Sequence, residues 1–187
     1  MGTPVNVPVR ASPVKIAMAR PTAAVSIYLA GRKPIMSENS LGSAMAALDQ
    51  TFKSFLGRAA ASSPLICCLF GHGQPLLFAE PMPREPLPAV GQPIDQNFAE
   101  IVREATLLNP AVHDGAIMAS IDPNRLCKVT GWSYRLFPPS GASQAPPNRG
   151  SAFNSCLAMS SVDGVVSIYL VSGSAGWRFE KGRIQAL

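Results

Sequence analysis

The order of apolar and polar positions divides the chain into alternating helical and strand-like stretches. Residues 1–23 carry Pro4, Pro8, Pro13 and Pro21 among small residues and read as a Pro-rich, flexible arm. Ala24–Ala30 alternates small and large side chains and reads as an extra strand, with residues 31–42 as a linker. From Ser40 the period changes. Met45, Leu48, Phe52 and Phe55 recur at helical spacing, with Ser40 or Ser43 as the cap and Gly57 as the stop. Pro64–Phe70 is a short continuous apolar run, expected of a strand covered on both faces. Gly71–Pro75 is turn chemistry, and Leu76–Phe78 is read as the start of a return strand. Residues 81–93 hold Pro81, Pro83, Pro86, Pro88 and Pro93, which makes an irregular connection. A second amphipathic helix is expected after Asp95, its cap candidate, with Phe98, Ile101, Val102 and Ala105 inward and Asn109-Pro110 ending it. Strands are expected over Gly115–Ala119, Leu126–Tyr134 and Gly164–Val171. Ser140–Arg149 reads as a loop, and Ser155–Ser160 as a short helix. The fold class is therefore α/β, a mixed central sheet flanked by helices, with residues 43–187 as its domain.

Composition narrows this further. At 187 residues with 47% hydrophobic and 14% charged positions, the chain is expected to fold around a real core. The formal charge of +5 is spread thinly rather than gathered into a dense basic run, so no specific nucleic-acid binding is expected. The four cysteines form no C-x-x-C pair. Adjacent Cys67 and Cys68 must face opposite sides of a strand, so they cannot share one tetrahedral metal site. Buried, reduced thiols are expected, which suits the cytoplasm. No apolar run reaches the roughly 18–20 residues of a membrane span, and prolines and charges interrupt the start where a signal peptide would need an apolar core.

Candidate chemistry sits in three clusters. His113-Asp114-Gly115-Ala116 opens a strand; a glycine lets a ligand approach the backbone, and a neighbouring carboxylate can accept from a ribose hydroxyl or hold a divalent metal. The same residues also suit a plain turn before a strand. Gly150-Ser151 can offer backbone N–H groups to a phosphate, or simply end a loop. Ser172–Gly176 has the composition of a phosphate-cradling loop without the spacing or lysine of a P-loop, and also suits a hairpin turn. With two histidines in the chain, a His-rich metal site is excluded, and no G-x-S-x-G element supports a serine hydrolase.

The order of these clusters adds more than any one of them. Gly91-Gln-Pro-Ile-Asp95, a helix, and then Asn109-Pro-Ala-Val-His-Asp-Gly-Ala-Ile-Met118 together resemble the diadenylate cyclase domain family, whose Gly-x-Pro-Leu-Asp turn and helix precede a Leu-His-Asp-Gly-Ala strand at the ATP site. Gly131–Pro138, Gly150–Ser160, Asp163-Gly164 and Ser172–Gly176 follow in the family's order. The resemblance spans about residues 43–187. It implies Asp114, Gly115, Ala116, Gly150, Ser151, Asn154 and Ser172 as ligand-binding positions, and Mg²⁺ or Mn²⁺ on Asp114 if ATP is bound.

The departures are as informative. The family's Arg-His-Arg falls on Ala152, Phe153 and Asn154, and its acidic pair on Gly173 and Ser174. Each missing charge-assisted bond is worth on the order of 1.5–3 kcal/mol, enough in sum to cripple phosphoryl transfer. The resemblance thus implies a catalytically inactive domain that binds an ATP-like or cyclic dinucleotide ligand as a sensor, as a homo-oligomer if it keeps the family's apposition of protomers. Two alternatives stand beside it: a divergent cyclase using Asp114 with Arg149 or Arg135 as replacement cations, and an interaction module with a vestigial pocket.

Overall fold

In the computed structural model, residues 38–57, 64–74, 77–139 and 149–187 can be described. The expected arm, extra strand and most of the linker, and most of the Ser140–Arg149 loop, lie outside these residues. The described residues form one compact unit.

Helix α1 spans Glu38–Lys53, starting before either serine read as its cap. Its stripe Met45, Leu48 and Phe52 is buried as the period required, and Phe55 follows in the closing turn, also buried. Gly57 ends the segment at φ 72°, where its N–H donates to Gly173 O.

Strand β1 (Leu65–Gly71) is buried through its centre, and Cys67 and Cys68 face opposite layers of the core. The return strand expected after the turn is a different object. Leu77 and Phe78 lie in a turn, and strand β2 is the short Ala79–Pro81, which pairs with β4 rather than with β1. Pro81 lacks a ladder donor, and this suits β2 to the sheet edge it occupies. The Pro-rich connection then leads to α2 (Phe98–Leu108). Asp95 does not cap this helix. Its Oδ1 accepts from Asn97 N–H at 2.8 Å within the preceding turn, and Asn97 is the N-cap. Phe98 and Ala105 are buried, with Ile101 and Val102 half-buried against the same core.

Asn109 ends α2, and its Oδ1 accepts from Ala111 N–H to open a 3-10 turn over Pro110–Asp114. Strand β3 (Ala116–Ile121) and the long β4 (Cys127–Leu136) follow. Helix α3 spans Ser151–Met159, one turn earlier than the expected Ser155–Ser160. Strands β5 (Val165–Ser172), β6 (Ala175–Glu180) and β7 (Arg183–Ala186) complete a seven-stranded mixed sheet of order β2-β4-β3-β1-β5-β6-β7. Among the described residues only β1 and β3 run parallel, joined by the crossover through α2; every other neighbour is antiparallel.

The sheet separates two cores. Helices α1 and α2 cover Cys67, Leu69, Ile117, Val129, Tyr169 and Val171, while α3 covers Cys68, Met118, Ile168, Leu170 and Phe179. Among the described residues, no helix is long and apolar enough to cross a membrane.

Candidate functional site

The register places the sequence-derived positions at one end of the sheet. Cys67 pairs with Ile117 and with Tyr169, so the row above Leu65 and Val171 carries Asp114 at the entrance to β3 and Ser172 at the exit of β5. With β1 between them, Asp114 and Ser172 are about 10 Å apart at the usual strand spacing. Helix α3 starts at this same end. The Arg149 guanidinium, one residue before its N-cap Gly150, lies over the rings of Phe153 (5.0 Å) and Trp177 (6.0 Å), near the start of β6. The helix finishes at the other end, where Ser160 accepts from the Lys181 and Gly182 N–H groups of the β6–β7 turn.

Gly115 is fixed by packing. A Cβ there would stand 2.6 Å from Met82 Cε and 2.8 Å from both Ser133 C and Tyr134 N, because β4 bulges toward it with Ser133 at φ 57°. Backbone of β4, not a ligand, accounts for this glycine. Ala116 beside it is buried in the α3-side core.

Asp114 has partners the sequence does not disclose. Arg84 Nη2 donates to its Oδ2 at 3.1 Å, and His113 Nε2 stands 3.4 Å from its Oδ1. The His113 Nδ1 faces Pro110 O. Arg84 comes from the Pro-rich connection, two residues after Met82, whose N–H donates to Ser133 O at 2.9 Å and whose side chain packs on Gly115. No spacing rule links positions 84 and 114. The only signal in the sequence is a lone cation, flanked by Glu80 and Glu85, in a proline-rich stretch.

At the start of α3 the groups have the opposite character to Gly115. Gly150 sits at φ −66°, and a Cβ at this position would meet no atom of the described residues within 4 Å, so neither strain nor packing among them requires glycine. Ser151 is the first helical residue and exposed, and the first turn has no acidic residue and, among the described residues, no side-chain cap. Uncapped N–H groups at a helix N-terminus carry partial positive charge, and a cation beside them is unfavourable unless an anion joins them. Arg149 is therefore held by its aromatic shelf in a place that attracts anions. Asn154, in the next turn, donates through Nδ2 to Arg149 O at 3.3 Å, and its buried Oδ1 has no partner among the described residues. Phe153 points inward, edge-on to Trp177 and Phe179, so this position is core rather than ligand contact. Arg135, the other candidate replacement cation, is an exposed residue opposite Glu80 in the β2–β4 ladder.

Ser172 belongs to a hairpin. The β5–β6 turn gives its Gly173 carbonyl to Gly57, and a Cβ at Gly176 would press on Leu56 Cδ2 at 2.9 Å and Leu187 Cδ1 at 3.1 Å, so both leucines would have to shift. These contacts tie the end of α1 to the sheet.

A divalent cation fits this donor set poorly. Both oxygens of Asp114 already face nitrogen groups, and no cluster of three or more His, Cys, Asp or Glu side chains exists among the described residues. The four cysteines are all buried and unpaired, and burial pushes the Cys68 thiol up to about 12.

No family profile matches the chain, and no curated protein matches it. Among solved structures, the hypothetical membrane spanning protein from Bacillus cereus superposes with a TM-score of 0.52 at 11% identity. The match covers 77% of this chain and 63% of that one, so the chain spans less than two thirds of that protein's length and shares its fold. DacA from Staphylococcus aureus, in a double-mutant form, aligns at 12% identity over 79% of this chain and 88% of its own, with a TM-score of 0.48.

Proposed function

We propose that the chain is a catalytically inactive, diadenylate-cyclase-like domain that binds an ATP-like nucleotide or cyclic dinucleotide as a sensor or regulatory module. The observation that carries the reading is Arg149, stacked on Phe153 and Trp177 at the uncapped start of α3, at the same end of the sheet as Asp114. A phosphate at the α3 N-terminus meets the first-turn N–H groups and Arg149. Asn154, half-buried near the start of α3, reaches a sugar hydroxyl or a base amino group only if its side chain turns outward, because its Oδ1 is buried. Asp114 offers an acceptor for a ribose hydroxyl at the β3 entrance. The order of motifs along residues 91–176 supports the family resemblance, and Phe153 in the core supports the loss of the catalytic basic triplet.

The test is a thermal-shift titration against ATP, ADP and cyclic di-AMP, each followed by chromatography for product. A ligand at about 100 times its Kd adds roughly 2.7 kcal/mol, a shift of several degrees. Saturable stabilisation without product, abolished in Asp114→Ala, is the expected result. Formation of cyclic dinucleotide would establish the divergent enzyme instead.

One observation favours the vestigial-pocket reading. Packing against β4 explains Gly115, and the hairpin contacts explain Ser172–Gly176, so neither needs a ligand. That reading predicts a flat response to every nucleotide.

A further inference from the structure

We infer that Arg84 takes the place of a divalent cation at Asp114, so that nucleotide binding at this end of the sheet is independent of metal; the inference rests on the nucleotide-binding reading above. Arg84 Nη2 lies 3.1 Å from Asp114 Oδ2, while His113 occupies the side of Oδ1. A metal ion reaching either oxygen would have to displace one of these groups or share the carboxylate with the Arg84 charge. The other carboxylates such a metal would need are missing, because Gly173 and Ser174 stand in the hairpin where the resembling family has acids.

Arg84 is also built into its position. Met82 is pinned to β4 by its N–H bond to Ser133 and by its contact with Gly115, and Pro83 and Pro86 restrict the backbone on either side of Arg84. Its side chain keeps 31% of its surface exposed, so part of the guanidinium beyond the Nη2 contact with Asp114 faces outward. A fixed guanidinium with spare donor capacity serves a phosphate or ribose oxygen directly, without a bridging ion. Such a site prefers the free nucleotide anion, whose charge a bound Mg²⁺ would reduce.

The experiment measures ATP and cyclic di-AMP affinity calorimetrically on the full chain, in EDTA and in millimolar Mg²⁺ or Mn²⁺, for the unaltered protein, Arg84→Gln and Arg84→Lys. The unaltered protein is expected to bind at least one of the two with a Kd in EDTA within about threefold of that in metal. Arg84→Gln is expected to weaken metal-free binding at least tenfold, with Arg84→Lys intermediate. Circular dichroism melts establish that each variant is folded; should Arg84→Gln fail to fold, the metal comparison on the unaltered protein and on Arg84→Lys decides. Binding that tightens tenfold or more with metal, or metal-free binding unaffected in Arg84→Gln, overturns the inference and leaves the nucleotide reading intact. No binding of either nucleotide under any condition overturns both.

Discussion

Arg178 on β6 and Asp49 on α1 form a two-bond ion pair across 129 positions of sequence, with Nη1 donating at 2.8 and 3.0 Å to the two carboxylate oxygens. Tyr169 Oη donates to the same carboxylate at 2.9 Å, and Arg178 Nη2 donates to Gln185 at 2.6 Å. Both charged side chains are largely buried, 16% exposed for Arg178 and 15% for Asp49. The Phe52 ring stacks on Tyr169 at 4.1 Å beside them, so the network is the polar hinge by which α1 is fixed to β5, β6 and β7.

Removing one member of that pair leaves a largely buried charge unmatched. Arg178→Met is expected to cost about 3 kcal/mol, measured by urea unfolding. The double variant Asp49→Asn/Arg178→Met should recover part of that stability, because the orphaned carboxylate is then gone. A single variant within about 0.5 kcal/mol of the parent, the range of ordinary surface substitutions, would show the pair to be energetically idle.

Gly115 and Gly150 should respond oppositely to alanine. Gly115→Ala forces a methyl group into β4 backbone at 2.8 Å and is expected to destabilise by about 1–3 kcal/mol. Gly150→Ala meets nothing within 4 Å among the described residues and should leave the melting temperature nearly unchanged. If a nucleotide approaches that backbone, the same variant lowers affinity; unchanged affinity removes Gly150 from the site.

Arg149 offers a similar separation of stability from binding. Its stacking on Phe153 and Trp177 is worth about 0.5–1 kcal/mol at a solvent-facing position. Arg149→Met is therefore expected to shift stability little while reducing nucleotide affinity tenfold or more. Full affinity in that variant would refute the phosphate role.

The buried thiols set an alkaline limit. Burial raises the Cys68 thiol from an ordinary 9.0 to about 12, and burial with the nearby Asp122 charge raises Cys127 to about 11. The folded state thus holds these protons after the unfolded chain has released them. Stability is full below about pH 9 and falls as pH rises from there through 11 to 12, by about 1.4 kcal/mol per pH unit for a fully buried thiol such as Cys68. Urea midpoints under reducing conditions at pH 8, 9 and 10 should decline on that schedule, and Cys68→Ala should flatten the decline. An unchanged midpoint to pH 10 would contradict it.

Periodicity determined much of this protein. The inward stripe Met45, Leu48, Phe52 and Phe55, the doubly buried β1 with Cys67 and Cys68 on opposite faces, and the stop at Asn109-Pro110 all follow from residues within a few positions of one another. The mixed sheet flanked by helices follows from the same patterns. The helix boundaries were less legible: α1 begins before its cap candidates Ser40 and Ser43, and α3 begins before the expected Ser155, because neighbouring residues with adequate propensity extend a helix once packing supports it. Tertiary structure alone decided that β2 pairs with β4, that Gly115 yields to the β4 bulge, and that Asp114 meets Arg84 and Asp49 meets Arg178. Those pairings join residues 30 and 129 positions apart. Local propensity has no term for them; they exist because closing the sheet brings distant charges to one place, where each must find a partner or stay in water.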